Sequence, residues 1–75
     1  MKTYYLLIVD YRRQVILEKL NFYHRSDREV FKTGYYTAAD IFNVDLNRAS
    51  LIDWPEREDN VSIWILNQIH HIEGK

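Results

Sequence analysis

The chain has 75 residues, a hydrophobic content of 47%, a formal net charge of −1 and no cysteine. This length allows one domain, residues 1–75, and the missing cysteines exclude a disulfide framework and a thiolate metal site. The near-neutral charge argues against a general nucleic-acid binder, and the lack of a transmembrane or signal-peptide pattern predicts a cytoplasmic protein.

The first two elements form a predicted β-hairpin. Residues 3–11 are rich in aliphatic, aromatic and β-branched side chains, which favour a strand. A polar break at residues 12–14 precedes residues 15–24, which we interpret as a second strand. The hairpin lacks an Asn-Gly or Asp-Gly turn, so a helix over residues 15–24 stays open as an alternative.

A helix is predicted next, over residues 27–42. Ser26 and Glu29 have the spacing of a capping box, in which each side chain binds the backbone N–H of the other residue. Asn43 suits the C-terminal end, because Asn tolerates the left-handed conformation. Apolar residues recur at spacings of one, three and four, which is typical of a helix with one buried stripe. The predicted core positions are Phe31, Tyr35, Ala38, Ile41 and Phe42.

Two further strands are predicted, over residues 48–54 and 60–72. In the second of these, apolar and β-branched residues alternate as they do in a strand. The element order is then ββαββ. This order predicts a small single α+β domain, in which a four-stranded antiparallel sheet carries one helix on one face.

The opposite face of that sheet would have no cover within the chain. Residues 3–11 are apolar or aromatic on both faces, and one helix covers only one of them. Large exposed apolar patches are usually binding surfaces, and Tyr and Trp are favoured in interface hot spots. We therefore predict partner-binding residues on the uncovered face: Tyr5, Leu7, Tyr11, Trp54, Trp64 and Leu66. An alternative is that residues 15–24 or 43–54 form a second helix that covers this face internally.

The leading functional hypothesis is a non-catalytic module that binds a partner protein, or a second copy of itself, through this aromatic-rich face. Its size is typical of small regulators or inhibitors of bacterial, phage or plasmid type. No Gly-rich phosphate loop and no nucleophile next to a base occur, so we predict no enzymatic activity and no cofactor. We also predict no metal site, because His70 and His71 would point to opposite faces of a strand and His24 is distant in sequence.

Residues 37–54 support a second hypothesis, a DNA-binding transcriptional regulator. This segment partly resembles a helix-turn-helix, with Asn43 in the turn. The recognition helix would present Asn47, Arg48 and Ser50 to nucleic acid. An acidic residue at its start, Asp45, would repel the phosphate backbone, so protein binding is the preferred hypothesis.

Overall fold

A three-stranded antiparallel sheet forms the centre of the fold. The computed structural model describes residues 3–55 and 61–73. Its strands are β1 (Tyr4–Asp10), β2 (Val15–Phe22) and β3 (Ser50–Trp54), in the order β2-β1-β3. β1 is therefore the middle strand, and it pairs with a neighbour on each side.

The predicted hairpin is confirmed. β1 and β2 pair from Tyr4 with Phe22 to Asp10 with Val15, with one irregularity in the register between Ile8 and Val9. The ambiguous segment after the turn is thus a strand and not a helix. β3 lies within the third predicted strand, so three of the four predicted strands are present.

The predicted fourth strand over residues 60–72 is wrong, because this segment forms a second helix, α2 (Ile63–Glu73). The carbonyl oxygen of Ser62 accepts the N–H of Ile65 at 3.0 Å, which closes the first turn. The first residue of the predicted strand, Asn60, lies outside the described part of the chain. The described elements are ordered ββαβα, and the chain is a small α+β domain.

α2 covers the face of the sheet that carries Leu7 and Val9. Ile65 and Ile69 are one helical turn apart and lie on the same side of α2, whereas Ile63 points away and is 75% exposed. The buried core on this face consists of Leu7, Val9, Ile52, Trp54, Ile65 and Ile69. This face is therefore covered from within the chain, as the alternative hypothesis proposed. The covering helix is α2, however, and comes from neither residues 15–24 nor residues 43–54.

The other helix, α1 (Arg25–Ile41), lies on the opposite face of the sheet. The rings of Phe31 on α1 and Phe22 on β2 are 5.8 Å apart, and Phe22 pairs with Tyr4 on this face. Leu6, which also points to this side, is fully buried. The sheet is therefore a middle layer between two helices.

The predicted capping box of Ser26 and Glu29 is wrong. α1 begins earlier, with His24 as the extended N-cap residue, and no side chain caps this end. The carbonyl oxygen of His24 accepts the N–H of Asp27 at 3.1 Å, so Ser26 lies inside the first turn.

The hairpin turn is organised by Asp10, which is almost fully buried at the end of β1. Its Oδ1 accepts the backbone N–H groups of Arg12 (2.9 Å) and Arg13 (3.1 Å), and its Oδ2 accepts the Nε–H of Arg13 (2.8 Å). α2 supports the same turn, since Gln68 Nε2 donates to the carbonyl oxygen of Gln14 at 2.6 Å. These bonds explain how the hairpin forms without an Asn-Gly or Asp-Gly dipeptide.

We expect Ile69→Ala to destabilise the fold by about 2–5 kcal/mol, because it leaves a cavity between α2 and the sheet. Ile63→Ala is the matched control, since Ile63 is exposed, and we expect it to change stability by less than about 0.5 kcal/mol. Urea unfolding followed by circular dichroism measures both. Equal stability of the two variants would contradict the placement of α2.

We also expect part of the acid sensitivity of the fold to come from Asp10. Hydrogen bonds from the side chain and backbone of Arg13, with a further one from Arg12, lower the pKa of Asp10 below its ordinary value of 3.8. The unfolded state therefore binds this proton more readily than the folded state. The stabilisation is present above the unfolded-state pKa and is lost as the pH falls through the lower folded-state pKa.

Thermal unfolding from about pH 6 to pH 2 tests this coupling. In Asp10→Asn, which keeps an oxygen acceptor but cannot ionise, we expect a weaker fall in melting temperature over this range. A variant that loses stability with acid as steeply as the parent would show that Asp10 does not contribute.

Candidate protein-interaction surface

Polar side chains hold α1 against the sheet. The sheet-facing positions are Arg28, Lys32, Tyr35 and Ala39, whose spacing of four, three and four places them on one side of a helix. Arg28 and Ala39 are the buried residues of α1. An arginine thus occupies a position at which a sheet-packed helix usually carries an aliphatic residue.

Arg28 lies between α1 and the sheet with 1% of its surface exposed. Its guanidinium donates to the carbonyl oxygen of Tyr5 at 3.3 Å and lies 5.4 Å from the centroid of the Tyr4 ring. Its Nε is 3.8 Å from carboxylate oxygens of Glu29 and Asp53. Removing one partner from a buried ionic group is costly, so these contacts fix the rotation of α1 about its axis.

Two further contacts join α1 to β3 and to the segment before it. Lys32 Nζ donates to Asp53 Oδ2 at 2.8 Å. Partial burial opposes ionisation of Lys32, but the carboxylates of Asp53 and Glu29 outweigh it and raise the pKa of Lys32. The Tyr35 hydroxyl donates to the carbonyl oxygen of Ala49 at 2.6 Å, and burial raises the pKa of Tyr35.

These anchors turn the apolar side of α1 towards solvent. Val30 is 73% exposed, Ile41 67% and Phe42 75%. We call the exposed set the apolar stripe of α1; it consists of Val30, Phe31, Gly34, Ala38, Ile41 and Phe42. The predicted core positions of this helix are therefore partly wrong. Ala38, Ile41 and Phe42 are exposed, whereas Tyr35 faces the sheet and Phe31, at the edge of the stripe, contacts the Phe22 ring of β2.

Gly34 lies in the middle of the apolar stripe. A Cβ atom built at this position meets no atom within 4 Å, so the surface above it is open. Its backbone has no positive φ that would require glycine. Glycine in a helix interior costs roughly 0.5–1 kcal/mol relative to alanine, and neither backbone geometry nor a close neighbour offsets that cost here.

The C-terminal end of α1 has the hydrogen bonds of a Schellman motif. The N–H of Val44 donates to the carbonyl oxygen of Ala39 at 2.9 Å, and the N–H of Asn43 donates to that of Asp40 at 3.3 Å. Asn43 has a positive φ of 54°, which confirms its predicted role at the helix end. This turn folds Val44 back towards Ala39.

Two clefts meet at Ala39 and Val44. The smaller, about 140 Å³, has only apolar or aromatic side chains in its lining: Tyr35, Ala38, Ala39, Phe42 and Val44. It shares Ala38 and Phe42 with the apolar stripe. The larger, about 410 Å³, is lined by Tyr36, Ala39, Asp40, Asn43, Val44 and Leu46.

Most of the sequence-predicted partner-binding residues belong to the core between α2 and the sheet, or pack against it, instead of forming a free face. Leu7 and Trp54 are buried in the core, and Tyr5, Trp64 and Leu66 are partly buried against it. Tyr11 is 38% exposed and meets the Trp64 ring edge-on at 5.9 Å. The reason for choosing these residues, an uncovered sheet face, therefore does not hold.

The segment of the proposed helix-turn-helix does not have that fold. Residues 42–49 form turns, bends and irregular backbone, and Ser50–Trp54 is strand β3, so residues 43–54 contain no recognition helix. The Asn47 N–H donates to Asp45 Oδ1 at 3.0 Å, and the Ser50 hydroxyl donates to the carbonyl oxygen of Leu46. Asn47 and Arg48 are exposed in a turn and Ser50 is at a strand end, so the three do not form a groove-reading surface.

His70 and His71 lie in the last turn of α2 and not on a strand. Among the described residues, no three His, Asp or Glu side chains come close enough together to hold a metal ion. Nor does either helix, over its described length, have the size and apolar character needed to cross a membrane.

Comparison of the chain with protein-family models, with curated proteins and with solved structures found no match.

We expect Gly34→Ala to stabilise the fold by about 0.5–1 kcal/mol, because alanine restricts the unfolded chain and its methyl group enters open space. Urea unfolding measures the change. Ala39→Leu, on the sheet side of α1, should instead destabilise by about 1–3 kcal/mol through overpacking. A loss of stability in Gly34→Ala would contradict the open surface above the stripe.

Proposed function

We propose that this chain is a non-catalytic protein-interaction module that binds a partner protein through the apolar stripe of α1. The observation that carries the proposal is the rotation of α1, which directs Arg28 and Lys32 to the sheet and leaves Val30, Ile41 and Phe42 in solvent. In an isolated domain the opposite arrangement is expected, since a helix normally buries its apolar side.

The hydrophobic free energy that these exposed side chains do not contribute to folding supports the proposal. Full burial of a Val, Ile or Phe side chain contributes about 1.5–3 kcal/mol each. Val30, Ile41 and Phe42 are each more than two-thirds exposed, so most of that contribution is missing from the folded chain. A partner that covers the stripe would recover it.

Phe42 is the best candidate for the centre of such an interface. It is 75% exposed, and it borders the small apolar cleft together with Ala38 and Val44. An aromatic ring next to an apolar cleft suits an interface in which each surface inserts a side chain into the other. A module of this kind would act as a regulator or inhibitor by occupying a surface of its partner.

Phe42→Ser tests the proposal. We expect the variant to fold, because Phe42 is exposed, and to lose at least about tenfold in affinity for the natural partner. Tagged protein is incubated with a lysate of the source cells, and retained proteins are identified and quantified by mass spectrometry.

Ile63→Ser is the matched control, since Ile63 is equally exposed but lies on α2. The expected result is a protein retained by the parent and by Ile63→Ser but lost with Phe42→Ser. Equal retention by all three would show that the partner binds elsewhere. Loss with both variants would show that retention depends on general surface hydrophobicity.

A further inference from the structure

We propose that the larger cleft, at the C-terminal end of α1, binds a Lys or Arg side chain of the partner protein. This inference rests on the proposed function, because the inference assigns the chemistry of one contact between the chain and its partner protein. The cleft lies next to the apolar one, and the two share Ala39 and Val44.

The volume and walls of the cleft fit a long cationic side chain. At about 410 Å³ it is within the range of about 300–1,000 Å³ that is usual for ligand pockets. Val44, Leu46 and Ala39 provide apolar surface for the methylene stem of a Lys or Arg side chain. Tyr36 provides an aromatic ring, which attracts a cation to its face.

Asp40 provides the opposite charge. It is the charged residue among those that line the cleft, and in the part of the chain that the structure describes no cationic group lies within 4.0 Å of its carboxylate. A carboxylate with no cation next to it, at the edge of a partly apolar cleft, favours a cationic ligand.

The end of the helix adds to the negative potential. Asp40 lies in the last turn of α1, and that turn contains no basic residue. The C-terminal end of a helix carries a partial negative charge of about one-half, so an aspartate there is unfavourable until a cation approaches. A partner surface with a basic side chain complements this negative potential.

The experiment uses two capped tripeptides that differ only in the charge of the central side chain. One is acetyl-Leu-Arg-Leu-amide, and the other has citrulline, the neutral analogue of arginine, in the centre. Each is titrated into the uniformly labelled full chain at low salt, and backbone amide shifts are followed by NMR. The variants are Asp40→Asn and, as a control with the same charge change on the same helix, Asp27→Asn.

We expect the arginine peptide to shift the amides of Tyr36, Asp40, Asn43, Val44 and Leu46. Its affinity should exceed that of the citrulline peptide by about threefold or more, and the difference should shrink at high salt as the charges are screened. Asp40→Asn should abolish the difference, and Asp27→Asn should preserve it.

Equal binding of the two peptides would overturn the inference, as would equal effects of the two variants or the absence of shifts at the cleft. Phe42 does not line this cleft, so the test is separate from that of the apolar stripe. If the arginine peptide binds at Asp40 while Phe42→Ser retains the natural partner, the cleft assignment stands and the stripe proposal fails.

Discussion

The fold depends on the fact that β1 is apolar on both faces. Leu6 points to one side and Leu7 and Val9 to the other, and all three are at most 1% exposed. A strand of this kind needs cover above and below it, and a chain of 75 residues has room for little more than one helix on each face. α1 and α2 provide that cover, one on each face.

The two helices cover the sheet by different means. α2 contributes Ile65 and Ile69 to an apolar core. α1 is joined to the sheet by polar contacts of Arg28, Lys32 and Tyr35, beside the ring contact of Phe31 with β2. Because those polar contacts set the rotation of α1, its apolar side faces outward. The same feature that fixes this helix therefore creates the exposed surface on which the proposed function depends.

Local patterns predicted the hairpin, the third strand and the existence of α1. They failed for residues 60–72, where Val61, Ile63, Ile65 and Ile69 fit a strand and all but Ile63 also fit a helix. The β-propensity of these residues favoured a strand. The segment forms a helix because Leu7 and Val9 must be covered, and this requirement comes from tertiary packing, which local sequence patterns do not contain. Ile63 supported the strand pattern but is an exposed isoleucine of α2.

The candidate site was missed for a related reason. The apolar stripe was recognised in the sequence, yet it was assigned to the core, because a buried arginine at position 28 cannot be inferred from periodicity. The cleft at Asp40 and Val44 depends on the Schellman turn, whose only sequence indication is Asn43. Neither feature follows from composition or spacing alone.

The central claim is that α2 covers the Leu7 and Val9 face of the sheet, so that the proposed binding surface lies on α1 and not on that face. Nuclear Overhauser effects between the methyl groups of Ile65 or Ile69 and those of Leu7 or Val9 test it most directly. We expect these contacts together with sequential amide contacts of a helix over residues 63–71. Cross-strand contacts between α-protons over residues 61–69 would contradict it.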